Sequence, residues 1–141
     1  MSQVNEYVLE IDPEPQLIPT ARMFAATVAR QHGYPEESVL DLKIAVSEAC
    51  TNAVNAHRTS GVESVVRVTA MANGQDLRYE ITDAGKGFDY EPEDPSAVFR
   101  RAAEDAADVP GMGLALIKTL FPSVEVQRES EGTIVRFALT R

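Results

Sequence analysis

Residues 45–54 read Ala45-Val46-Ser47-Glu48-Ala49-Cys50-Thr51-Asn52-Ala53-Val54. They sit inside a longer segment that starts near Pro35, a proline suited to a first helical turn, with Glu36 and Glu37 placed at the positive end of the dipole. The segment runs to about His57 and stops in Thr59-Ser60-Gly61. On a wheel of about 100° per residue with Glu48 at zero, Asp41, Ile44, Asn52 and Asn55 fall within about 40°. Val39, Leu42, Val46, Cys50 and Ala53 cluster on the other side. The helix therefore has one face for a core and an opposite stripe of Asp41, Glu48, Asn52 and Asn55. A solvated surface is the plainer reading of that stripe, because charged side chains normally sit outside. Two asparagines serve such a surface poorly, being weak helix formers. Their amides do suit a hard cation or phosphate oxygens, and a carboxylate one turn away suits a general base.

Outward from this helix the texture changes twice. Upstream, Val4 to Ile11 alternates as a strand does, and Pro13 and Pro15 end it. Leu17 to Gln31 carries Leu17, Ile18, Ala21, Phe24, Ala25, Val28 and Ala29 at helical spacing, with Gly33 as its stop. Downstream, Glu63 to Asn73 and Asp76 to Asp83 are β-type segments joined by Asn73-Gly74, a hairpin signal. Ala84 to Pro110 is a long connection with Gly85, Gly87, Pro92, Pro95 and Pro110, of a length usually functional or mobile, and Val98 to Ala107 has the composition of a short helix. Gly111 to Leu120 returns to helical spacing, and Pro122 stops it. Val124 to Arg128 and Thr133 to Thr140 form a last hairpin around Glu131-Gly132. The order β-α-α-β-β-loop-α-β-β predicts an α+β two-layer sandwich, a mixed and mostly antiparallel sheet covered on one face by helices. No repeat, low-complexity tract or linker divides the chain, so a single domain over residues 1–141 is expected.

The 141 residues hold 13 Lys+Arg and 22 Asp+Glu, a net charge of −9, with 44% apolar and 25% charged residues. That is globular composition, not disorder. The lone Cys50 excludes an internal disulfide framework and any multi-cysteine metal site. No apolar run reaches the roughly 18 residues of a membrane span. The N-terminus lacks a basic region followed by an apolar one, so a cytoplasmic protein is expected. Acidity argues against nucleic acid, whose phosphates need Lys/Arg stripes. It is compatible with a basic protein partner, or with a phosphorylated ligand held by backbone amides.

Two glycine segments bear on that ligand. In Ile81-Thr82-Asp83-Ala84-Gly85-Lys86-Gly87-Phe88 an acidic residue closes a strand and two glycines follow at alternate positions, which permits close backbone approach to a ligand. Asp83 there is placed to accept a hydrogen bond from a ligand's amino group. A plain glycine turn is the alternative. A calcium loop is disfavoured, because Gly85 and Gly87 stand where the EF-hand pattern wants Asp or Asn. In Pro110-Gly111-Met112-Gly113-Leu114, glycines precede a helix whose free N–H groups make an anion site. It is neither a P-loop nor a Rossmann motif, and a glycine hinge fits it equally well.

Taken together, Glu48 and Asn52 on a helix, Asp83-x-Gly85-x-Gly87, a long loop, and Gly111-x-Gly113-Leu114 resemble the ATP-binding boxes of the GHKL superfamily, which share the Bergerat, or histidine-kinase-like, ATPase fold. Residues 45–54 are similar to the N-box of the bacterial anti-sigma-factor serine/threonine kinases, and the resemblance covers nearly the whole chain. It implies that Asn52 ligates the Mg²⁺ of ATP and that Glu48 is the general base toward a serine or threonine hydroxyl. It implies further that Asp83 accepts from the adenine amine, that Gly85 and Gly87 leave room beside the base, and that Gly111 and Gly113 flank the phosphates. Residues 88–110 would be the ATP lid, and Thr133 would help to hold the adenine. The chain departs from the family where members often carry a histidine four residues after the asparagine. Ala56 stands there, and His57, one residue later, reads as a helix C-terminal residue rather than a catalyst. Asp108, Val109 and Pro110 fill a stretch where at least one member has an arginine, leaving Lys86, Arg100 or Arg101 as the cations of the lid.

The function so implied is an ATP-dependent protein serine/threonine kinase acting as an anti-sigma factor. It would hold a sigma factor off RNA polymerase and phosphorylate an anti-anti-sigma STAS-domain protein, in partner switching that regulates transcription under stress. The alternative is a sequestering module that binds ATP without phosphotransfer. A histidine-kinase catalytic domain ranks last, since only His32 and His57 exist and neither sits on a recognisable dimerisation helix. Homodimers are common in the family, with Glu6, Tyr7 and the first helix as candidates for the interface.

Overall fold

A computed structural model describes residues 4–85, 95–96 and 112–140. Strand β1 (Asn5–Ile11) leads through a 3₁₀ turn at Pro15–Leu17 into α1 (Ile18–Gln31) and α2 (Glu36–Ser60). Then come β2 (Val66–Ala72), β3 (Asp76–Asp83), α3 (Met112–Leu120), β4 (Glu125–Glu129) and β5 (Gly132–Thr140). The five strands form one sheet in the order β1-β2-β3-β5-β4, antiparallel at every described pairing. This is the α+β sandwich that the sequence predicts.

Element ends follow from local chemistry. Helix α2 begins after Pro35 (ψ 157) and runs to Ser60, three residues past His57, where Gly61 turns left-handed at φ 69. Strand β2 starts at Val66 and not at Glu63, because its partner gives out: Ile11 pairs with Val66, and beyond Ile11 the chain turns away at Asp12-Pro13. The Asn73 side chain closes the β2–β3 turn, its Oδ1 accepting from Gln75 and Asp76 N–H at 2.9 Å each.

Alternation divides the two faces of the sheet. Val66, Val68 and Ala70 of β2, Leu77, Tyr79 and Ile81 of β3, and Val135, Phe137 and Leu139 of β5 are buried under the helices. Alanines at 21, 25, 26 and 29 line the buried side of α1 and let α2 approach closely. Tyr79 stacks on Phe137 at 5.9 Å and donates its hydroxyl to the Ala25 carbonyl at 2.7 Å, which ties α1 to the sheet centre. The other face carries charged pairs such as Arg67–Glu10 (3.0 Å) and Arg136–Glu80 (3.4 Å).

Candidate functional site

Glu48 and Asn52 lie one turn apart on α2, and both are half-buried. What covers them is the first turn of α3. A Cβ on Gly113 would lie 2.9 Å from Glu48 Oε2, 3.4 Å from Asn52 Nδ2 and 3.5 Å from Asn52 Oδ1. Only a glycine leaves that space beside the carboxylate and the amide free. The structure thus brings Glu48, Asn52 and Gly113 together, as their order in the chain suggests.

Asp83 ends β3 opposite Thr133 of β5. Its Oδ1 accepts the Gly85 N–H at 3.1 Å, and a second backbone bond comes from Thr133. Burial pushes the carboxyl up to about 6, and those two bonds hold it from going higher. Gly132 (φ 153) is packed on the Asp83 carbonyl, where any Cβ would collide. Gly85 makes a contact that its place in the sequence did not announce. A Cβ there would meet the α2 backbone, 2.6 Å from the Ala56 carbonyl oxygen and 2.8 Å from the His57 nitrogen. The glycine lets the end of β3 rest on α2.

His57 is not a solvated helix end. It is completely buried, Nδ1 lies 3.0 Å from the Ser64 carbonyl, and Nε2 accepts the Ala84 N–H at 2.8 Å. A carbonyl only accepts and an N–H only donates, so the proton sits on Nδ1. Burial also lowers the pKa of the ring and favours this neutral tautomer.

Between the two clusters lies a cavity of about 30 Å³ that Asn52, Ala56, Asp83, Leu114, Arg128 and Thr133 help to line. Arg128 went unnoticed in the sequence. Its register opposite Thr133 places it on the helix side of the sheet, in one cross-strand row with Thr133 and Asp83. The cavity as it stands admits about one or two waters. A larger concavity of about 810 Å³ lies around Arg78, Glu80, Phe121 and Arg136, but none of Glu48, Asn52, Asp83 or Thr133 lines it. The smaller space is the one that Asn52, Asp83 and Thr133 share. Gly87, Gly111 and the cations Lys86, Arg100 and Arg101 lie outside the described residues, as does the expected lid 88–110 apart from residues 95–96 and the expected helix within it.

Residues 11–139 match the family model of the histidine kinase-like ATPase domain. The chain belongs to that family. Within the family it is 35% identical over 130 residues to the serine-protein kinase RsbW of Bacillus pumilus, covering 89% of this chain and 80% of that protein. Against the serine-protein kinase RsbW of Bacillus subtilis the figures are 31% over 142 residues, 95% and 86%. The fold is similar to that of the RsbU and RsbW domains of Rv1364c from Mycobacterium tuberculosis, with a TM-score of 0.70 and 18% identity. That match covers 96% of this chain and 32% of the other, and at such identity it speaks for the fold alone. The matched ATPase region contains every described residue of both clusters.

Proposed function

We propose that this chain is an ATP-dependent protein serine/threonine kinase that serves as an anti-sigma factor, and that its substrate is an anti-anti-sigma STAS-domain protein. The observation that carries the kinase reading is the close approach of the Gly113 backbone to the Glu48 carboxylate and the Asn52 amide, too tight for a Cβ unless a neighbour shifts. One amide and one carboxylate suit Mg²⁺, which takes one or two protein ligands and leaves its other positions to phosphates and water. Asn52 would hold the ion, which when bound supplies positive charge against the phosphates.

Asp83 takes a hydrogen bond from the exocyclic amine of adenine, and Thr133 and Gly85 hold the carboxyl from behind. By the family resemblance Gly87 would leave room beside the base, and Gly111 and Gly113 would flank the phosphates. Glu48 Oε2 receives the proton of the substrate hydroxyl as that oxygen bonds to the terminal phosphorus. The bond from that phosphorus to the bridging oxygen breaks, and ADP leaves. The phosphate adds a charge of about −2 to the partner, and facing a chain of net charge −9 it weakens the complex. The protein would work in the cytoplasm as one domain over residues 1–141. Among the described residues no helix is long and apolar enough to cross a membrane. Two copies would pair through Glu6, Tyr7 and α1, where β1 forms a sheet edge and Met23 is exposed.

The test is incubation of the protein with radiolabelled ATP and STAS proteins encoded by neighbouring genes. The wild type passes label to a serine or threonine, and Glu48→Gln binds ATP without transfer. ATP binding by the wild type with no transfer to any partner would instead support a sequestering module.

A further inference from the structure

His57 is fully buried, and both its ring nitrogens are engaged. One bond reaches Ser64 in the α2–β2 connection. The other reaches the N–H of Ala84, the residue that follows Asp83. One residue further, the Gly85 N–H binds the Asp83 carboxylate, and Gly85 itself rests on the α2 backbone at Ala56 and His57. The backbone that presents Asp83 is thereby fastened to α2 twice, once by the imidazole and once by glycine packing. From Asn52 to His57 is about 7.5 Å of helix at 1.5 Å per residue, so one rod holds both the metal-side amide and the base-side carboxyl.

We propose that His57 is a positioning residue for base selection: through Ala84 it fixes the Asp83 carboxylate against α2, and so sets the preference for adenine over guanine without touching the nucleotide. This rests on the reading that Asp83 accepts from the exocyclic amine. At that position adenine offers a donor and guanine the O6 acceptor. A carboxylate held in place bonds the first and opposes the second, and a carboxylate on a loosened backbone can turn away from the second. Selectivity therefore depends on how firmly Asp83 is held as well as on its charge. The neutral ring enforced by burial keeps the Nε2 lone pair available to Ala84.

Two substitutions separate this role from general packing. The amide of glutamine reaches the place of Nε2 and can still accept from Ala84, whereas that of asparagine reaches only the place of Nδ1. Affinities for Mg-ATP and Mg-GTP are measured by calorimetry at pH 8, with thermal melting of each protein. His57→Asn is expected to lower the ATP-to-GTP affinity ratio about tenfold, the worth of one hydrogen bond, with His57→Gln within about threefold of the wild type. An unchanged ratio in a folded His57→Asn overturns the proposal, as does an equal loss in both variants. A wild type that does not prefer ATP overturns the reading of Asp83 and this role together. Should His57→Asn fail to fold, histidine-selective ¹⁵N NMR of the wild type decides. ADP is expected to shift the His57 Nε2 resonance and GDP to leave it in place, and the same response to both overturns the proposal.

Discussion

Gly113→Ala is expected to move stability and activity in opposite directions. The new Cβ would stand 2.9 Å from Glu48 Oε2, closer than side-chain carbons and oxygens settle, while its distances of 3.4 and 3.5 Å to the Asn52 amide are tolerable. The Glu48 carboxylate ends a flexible side chain, so it retreats by about 0.5 Å to ordinary contact at little cost. Meanwhile alanine at the second residue of α3 (Met112–Leu120) removes backbone freedom from the unfolded chain, a gain of up to about 1 kcal/mol. Catalysis tolerates the shift less well. A misplacement of about 1 Å costs on the order of 100-fold, so half of it, together with a filled space, should lower kcat about tenfold, equivalent to about 1.4 kcal/mol. Urea melts and label transfer to the STAS substrate read the two quantities on one preparation. A kcat within about twofold of the wild type, in a protein whose melt is unchanged or improved, would show that the space bounded by Gly113, Glu48 and Asn52 is not where the reaction is organised. A clear loss of stability would show that the Glu48 carboxylate does not retreat from the new Cβ.

Asn52→Ala should abolish the Mg²⁺-dependent part of ATP affinity without altering the melt, and equal wild-type and variant affinities in Mg²⁺ and in EDTA would remove Asn52 as the ligand. Gly85→Ala should destabilise by about 2–3 kcal/mol, because the atoms in its way are the helix backbone of Ala56 and His57; an unchanged urea midpoint refutes that contact. Asp83 titrates near 6 in the folded chain, against about 3.9 for a free carboxyl, so between those values the folded state holds the proton more firmly and stability falls as pH rises from about 4 to about 6. Nucleotide binding runs the other way, because only the ionised carboxyl accepts freely. The ATP-to-GTP affinity ratio, which cancels the titration of the phosphates, should fall about tenfold from pH 7 to pH 5, and a flat ratio rejects Asp83 as the base acceptor.

Elements and the two hairpins were legible because each rests on local chemistry, whereas the order of the strands in the sheet was not. The alternation of β3 separates Leu77, Tyr79 and Ile81 from Arg78 and Glu80, Asn73-Gly74 closes its hairpin, and Gly61 ends α2. The clustering of Glu48 with Asn52 follows from helical periodicity alone. Contacts made across the fold left no such trace. Nothing in the segment around His57 reveals that its ring meets Ala84, 27 residues on, so it was legible only as a residue near a helix terminus. Gly85 was legible as a glycine demanded by close approach, but not that the approach is to α2. Arg128 could have been placed by counting inward positions along the last hairpin, since Val126 pairs with Val135 and Arg128 with Thr133.

The same contacts determine which wall of the site must yield to a nucleotide. A cavity of about 30 Å³ is far too small for a purine, so some lining residue has to move. The wall on α2 is held: Gly85 is seated on the backbone at Ala56, His57 ties Ala84 to the same turn, and Gly132 locks the Asp83 carbonyl to β5. The opposite wall is Leu114, half-buried on the short α3, and Arg128, exposed on the edge strand β4. Leu114 is the residue after Gly113, so a displacement that admits the base also shifts the turn lying against Glu48 and Asn52. Where Leu114 is the part that yields, entry of the base and spacing at the phosphate end are coupled through α3; where Arg128 yields, they are not. Ala56 fits this arrangement, because a larger side chain there would project into the cavity from the wall that cannot give.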